Sequence, residues 1–318
     1  MTLSRQAAGM LLAACVLILG GCVTRAPLLE SATRVVELDD TPFFPQDKHE
    51  CGPAALATVL GASAVQVTPQ ELESRVYLPG RRGSLQVEMQ AAPRAYGRLT
   101  YRIEPELAAI TAELDAHRPV LVLHNYGLPF WPRWHYAVVV GYDGPRKQII
   151  LRSGRVRRQQ LSATNFMRAW DNGDRWAVVM LKPGELPANA DRQRYLQAAA
   201  AFEGVAQPKD AWRAFDAAVR QWPEEAVGWT GRGTASYREG NRQAAVGDYR
   251  AALAIDGAQA GARNNLAMTL LEMGCAAQAK QQISQIDLGR LDGRLKEEVA
   301  DTQRQIDAAT STGRCPLQ

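Results

Sequence analysis

The residue best equipped for chemistry in this chain is Cys51, which opens the run Cys51-Gly52-Pro53-Ala54-Ala55-Leu56. A helix starting at Cys51 would set its sulfur against backbone N–H groups that lack a helical acceptor, and against the positive end of the helix dipole. Both effects favour the thiolate, the nucleophilic form of cysteine. Gly52 lets a substrate backbone approach closely, and Gln46, just upstream, can aim its side-chain amide at a developing oxyanion. Such a nucleophile needs a base. His135 opens an apolar run through Tyr142 that reads as a strand, and it can serve as that base.

The other histidines have plainer readings. His49 lies in the loop before the helix and reads as solvent-facing. His117 stands at a helix end as a dipole partner. His124 closes a buried strand and reads as structural, with a place in the cleft beside His135 as the alternative. Cys51, His124 and His135 could together hold zinc, but nothing in their spacing requires it. We expect no metal and no cofactor. The aromatic run Phe130-Trp131-Pro132-Arg133-Trp134 either walls a substrate cleft or packs on the surface.

Positioning these groups requires a mixed α+β domain over residues 39–185. Helices are expected over 51–61, 69–76 (capped by Thr68), 85–96 (interrupted by Pro93), 105–117 and 163–170. Strands are expected over 99–103, 119–124, 135–142, 148–152 and 175–181, with Asp143-Gly144-Pro145 as a turn. Pro183-Gly184 and Pro187 mark a linker.

In order and spacing, Gln46, Cys51-Gly52-Pro53-Ala54 and the His135 strand resemble the bacteriocin-processing (double-glycine leader) cysteine peptidases of the papain clan, over roughly residues 39–181. The resemblance implies a papain-like fold in which Cys51 attacks, His135 is the base and Gln46 lines the oxyanion hole. That family orients its histidine with an Asp or Asn at the end of the strand after the hairpin. Here that strand ends Arg152-Ser153-Gly154, without a carboxylate, and Ser153 is the candidate acceptor. A neutral hydroxyl stabilises an imidazolium less well than a carboxylate does. Replacing the Asp of a serine-protease triad lowers turnover by ~10⁴, whereas a Cys–His pair leans less on its third member. Reduced or specialised activity is the expectation.

Ser4-Arg5, the apolar run from Met10 to Leu19, and Leu19-Gly20-Gly21-Cys22 resemble a bacterial lipoprotein signal. Residues 1–22 are then a signal peptide with Cys22 lipidated, and residues 23–38 a tether. By resemblance to lipoproteins of Gram-negative bacteria, Val23 in place of Asp implies the outer membrane, facing the periplasm. Cys15 leaves with the signal, so Cys51, Cys275 and Cys315 remain in a compartment that permits disulfides. Cys275 and Cys315 both lie in the helical tail and are expected to pair, leaving Cys51 free.

The tail, residues 190–287, repeats every 34 residues. Ala211, Ala245 and Ala279 align, as do Phe215, Tyr249 and Ile283, and Gly240 with Gly274. Small residues at helix contacts and aromatics between them are the tetratricopeptide pattern, an all-α solenoid with its glycines in the turns. Residues 288–318 would be a capping helix and tail.

The chain has 318 residues, is 46% hydrophobic and 22% charged, and carries a formal charge of +4, so two modest domains are affordable. Its densest basic spots, Arg81-Arg82 and Arg157-Arg158, lack interleaved aromatics and read as solvated loop charges, so no nucleic acid partner is expected. No P-loop couples the chain to nucleotide hydrolysis. The expected function is an envelope-anchored cysteine peptidase acting on a peptide or protein, with a protein partner or the substrate in the repeat groove and the membrane met through the lipid alone. The alternative is a catalytically weakened peptidase-like domain serving as a scaffold or adaptor lipoprotein.

Overall fold

The computed structural model describes residues 33–45, 50–128, 130–291, 293–309 and 315–316. Cys22 and the signal segment, Gln46 and His49 lie outside the described residues. So do positions 310–314 of the tail.

Seven antiparallel strands form the centre of the N-terminal region: β1 (Val35–Glu37), β2 (Leu99–Arg102), β3 (Val120–Asn125), β4 (Trp134–Asp143), β5 (Gln148–Ser153), β6 (Val156–Ser162) and β7 (Ala177–Leu181). They run in the order β2-β7-β3-β4-β5-β6, with β1 added against β4. Strand residues alternate between faces. Val120, Val122, Ala137 and Val139 face one side, and Leu121, Leu123, Tyr136 and Val138 face the other. Helices cover both faces, which is why β3 and β4 read as unbroken apolar runs.

One face carries α1 (Cys51–Ala62), α2 (Pro69–Val76) and α3 (Gln86–Ala91). Alanines let α1 press against the sheet, and Pro53 sits in its first turn, where no N–H is missed. Thr68 and Glu71 form a reciprocal capping box on α2. The other face carries α4 (Leu107–Asp115) and α5 (Ala163–Asp171). The third expected helix is shorter than the sequence implied. Pro93 cannot donate to an α-helical bond, and residues 92–96 tighten into a 3₁₀ turn.

Two strands were not legible. β6 is mostly polar and exposed, an outer strand without an apolar face to announce it. β1 has three residues and falls inside the stretch read as a tether; the tether reading is therefore corrected for residues 35–37, which pair with Gly141–Asp143 of β4. That approach depends on Gly141, where a Cβ would lie 2.3 Å from the Val36 carbonyl oxygen.

The C-terminal region is helical: α6 (Arg192–Glu203), α7 (Pro208–Gln221), α8 (Ala226–Arg238), α9 (Arg242–Ile255), α10 (Ala260–Glu272), α11 (Ala276–Ile283) and α12 (Gly293–Ala308). Gly240 and Gly274 hold positive φ, 85° and 78°, in the α8–α9 and α10–α11 turns. The segment between the two regions is tied down: the Asp191 N–H donates to Tyr101 Oη and the Ala188 N–H to Glu113 Oε1. Tyr195, Phe202 and Phe215 join Leu99, Tyr101 and Leu181 in one continuous core. Cys275 and Cys315 form a disulfide that fastens the C-terminal end to the start of α11.

Candidate active site

Cys51 is the first residue of α1, and among the described residues it is the free cysteine. It lines an open cleft of about 1310 Å³ together with His135, Tyr136, Ser153, Tyr126 and Trp134. The first element of the site is therefore a helix N-terminus, and the second is the start of β4. Burial pushes the Cys51 thiol above its ordinary value; backbone N–H groups of Tyr136, Gly52 and Cys51 itself pull the other way but do not prevail. The thiolate expected from the helix terminus alone is thus opposed by desolvation.

His135 Nε2 lies 2.9 Å from Ser153 Oγ, at the end of the neighbouring strand β5. With the Nε2–H donating to that oxygen, Nδ1 carries the lone pair and is the nitrogen left to accept a proton. Burial holds the imidazole below its ordinary value. Neutral thiol and neutral imidazole are accordingly the resting forms. A carboxylate at position 153 would offset the cost of the imidazolium; a hydroxyl does little of this.

His124 is opposite His135 in the β3–β4 register. It is fully buried, and its Nδ1 is 2.8 Å from Tyr126 Oη. Burial first, then the charge His135 would carry, push it down to about 3, so it stays neutral. Tyr126 in turn lies beside the His135 ring, with centroids 6.0 Å apart. His124 therefore props the wall of the cleft and does not line it. Among the described residues no group of three or more His, Cys, Asp or Glu side chains is placed to hold a metal ion. His117 sits just beyond α4 at φ 58°, away from this cleft.

Three further contributors carried no sequence signal. Ser84 reaches across from the segment before α3: a Cβ on Gly52 would meet its Oγ at 2.1 Å, and its carbonyl accepts from Tyr136 Oη. Arg152 is buried and donates to the carbonyls of Thr41, Arg157 and Asp39, tying the approach to α1 onto β5. Gln159 of β6 lines the cleft with an Oε1 that is buried and without a partner among the described residues. All three depend on contacts distant in sequence. The aromatic run divides: Pro132, Arg133 and Trp134 line the cleft, while Phe130 and Trp131 point outward, 81% and 76% exposed.

Residues 38–175 match the family model described as the Peptidase_C39 like family. The N-terminal region is an α+β domain of C39 peptidase-like fold, and a helical region follows it. Among solved structures, a C39-like peptidase from Bacillus anthracis is 16% identical, covering 47% of this chain and 98% of that one, at a TM-score of 0.39. The double glycine motif protease of an AMS/PCAT transporter, solved with the leader peptide, is 20% identical over 46% of this chain and 91% of its own, with a TM-score of 0.33. MamA is 18% identical over 36% of this chain and 76% of its own, with a TM-score of 0.30. Overlaps of this depth decide neither activity nor substrate. No curated protein matches the chain. Among the described residues no helix is long and apolar enough to cross a membrane.

Proposed function

We propose that this chain is a lipid-anchored cysteine peptidase of the C39 type that cleaves a peptide or protein with Cys51 as nucleophile and His135 as base. One observation carries the reading: a single cleft holds a free cysteine at a helix N-terminus and a histidine whose Nε2 is held by Ser153. His135 Nδ1 takes the Sγ proton as the sulfur attacks the scissile carbonyl carbon. The tetrahedral oxyanion forms beside the N–H of Cys51, with Gln46 as its second donor. The imidazolium then protonates the leaving amine, and water, deprotonated by the same nitrogen, hydrolyses the thioester. With both partners neutral at rest, the proton moves in step with attack.

The anchor reading rests on Leu19-Gly20-Gly21-Cys22, and outer-membrane placement facing the periplasm on Val23. The 34-residue spacing, with Ala211, Ala245 and Ala279 all fully buried, supports tetratricopeptide-like repeats that recruit substrate or a partner. A second reading, a weakened peptidase-like domain acting as an adaptor, is favoured by the hydroxyl standing where a carboxylate would stabilise an imidazolium.

The test uses the chain lacking residues 1–22. Wild type is expected to cleave a peptide mixture, with Cys51→Ala silent and His135→Ala reduced by 10² or more. Hydrolysis retained by Cys51→Ala would overturn the peptidase reading; partner capture surviving Cys51→Ala with His135→Ala, in a wild type without hydrolysis, would favour the adaptor.

A further inference from the structure

The cleft is electrically one-sided. Arg81, Arg82 and Arg133 line it, and Asp174 is the carboxylate among its described lining residues. All three arginines are exposed, and none forms a side-chain ion pair among the described residues. This contrasts with the chain's other basic pair, where Arg158 binds Glu37 at 2.8 Å. Arg81 and Arg82 sit next to each other in a tight turn closed by the Leu78 N–H on the Gly83 carbonyl at 2.8 Å. Neighbouring like charges without counter-charges repel one another, and an anionic partner relieves that repulsion on arrival.

The turn is docked at the nucleophile. The stretch from Gly80 to Gln86 lines the cleft, and Ser84 within it packs over Gly52. Arg133 faces in from the β3–β4 loop, beside Trp134. Pockets for small ligands hold roughly 300–1,000 Å³; this cleft, at about 1310 Å³ and open, suits an extended chain rather than a lone anion.

We propose that the cleft selects a polypeptide segment bearing carboxylate side chains, held by Arg81, Arg82 and Arg133 in the cleft that contains Cys51. The proposal deepens the peptidase reading and rests on it for the identity of the bound segment as substrate.

Two measurements test it without requiring turnover. The first is the ratio of Cys51 alkylation rates with anionic iodoacetate and neutral iodoacetamide, in the chain lacking residues 1–22, at low salt. The triple variant Arg81→Glu, Arg82→Glu, Arg133→Glu should lower this ratio roughly tenfold, with the difference shrinking as salt rises. The triple Gln variant, which keeps side-chain bulk, should fall between. The second is binding of a fluorescein-labelled peptide containing three glutamates, against its all-glutamine counterpart, to the Cys51→Ala protein. The glutamate peptide should bind at least tenfold tighter, and the Arg→Glu triple variant should lose the difference. Equal ratios in wild type and variant, or equal binding of the two peptides, would overturn the proposal. Selective binding with no hydrolysis by wild type would instead sink the peptidase reading and leave the charge selection standing.

Discussion

At the scale of the residue, the site turns on the contest between desolvation and hydrogen bonding. Burial raises Cys51 and lowers His135, and the three N–H groups at the sulfur do not reverse it. The sign follows directly: as pH rises, the imidazole loses its proton first and the thiol afterwards, so no window of thiolate facing imidazolium opens near neutrality. Alkylation of Cys51 by neutral iodoacetamide should therefore climb on the alkaline side of a free thiol's ~8.5. Ser153→Asp should move that midpoint down by about one unit or more, because a carboxylate at Nε2 stabilises the imidazolium and, through it, the thiolate. The rate-against-pH curve of the two proteins decides this, and superimposable curves would show that position 153 does not govern the histidine.

At the scale of the element, the strands are what bring the chemistry together. β4 carries His135, β5 carries Ser153, and their shared register, through a bulge between Val139 and Gly141, sets one beside the other. β1 lies against the far end of β4 through Gly141, where a side chain would strike backbone rather than a flexible side-chain tip. Gly141→Ala should detach β1 and cost about 1–3 kcal/mol, since the backbone must shift to admit one methyl group. Thermal unfolding reports the loss, and new proteolytic cutting around residues 33–38 reports its place.

At the scale of the whole molecule, the two regions share a core and do not hang from a free linker. Tyr195 is fully buried, and its hydroxyl donates to the carbonyls of Glu185 and Ala214, so the first tail helix is bound to the segment leaving β7. At the other end, the Cys275–Cys315 disulfide closes a separation of 40 residues. A closed loop of that size contributes on the order of 3–4 kcal/mol by restricting the unfolded chain. Cys315→Ser should lower the unfolding free energy of the C-terminal helices by about that amount in denaturant titration. Cys51 alkylation should stay unchanged, because the bridge lies in a different hydrophobic cluster from the cleft. A change in Cys51 reactivity would mean the far helices reach the site.

How much of this could be read beforehand depends on the range of the interactions. The helix at Cys51, the cap at Thr68, the strand at His135 and the repeat spacing follow from local rules: a proline in a first turn, a Thr-x-x-Glu box, apolar runs, and glycines at positive φ. These are written in neighbouring residues, and the sequence by itself determined them. Ser153 was legible as a candidate through the family resemblance, which places the histidine's partner at the end of the strand after the hairpin. The sequence did not reveal β1 or β6, because a three-residue strand and a polar outer strand leave no period to detect. Nor did it reveal Ser84 over Gly52, Arg152 beneath the approach to Cys51, or the arginines of the turn at the cleft. Arg81-Arg82 and Arg157-Arg158 look alike as sequence, yet Arg158 finds Glu37 and the first pair lines the cleft that holds Cys51. Tertiary structure alone decided that difference, and likewise the opposite directions in which burial shifts Cys51 and His135, because burial and charge pairing are properties of the folded surroundings and not of the residue.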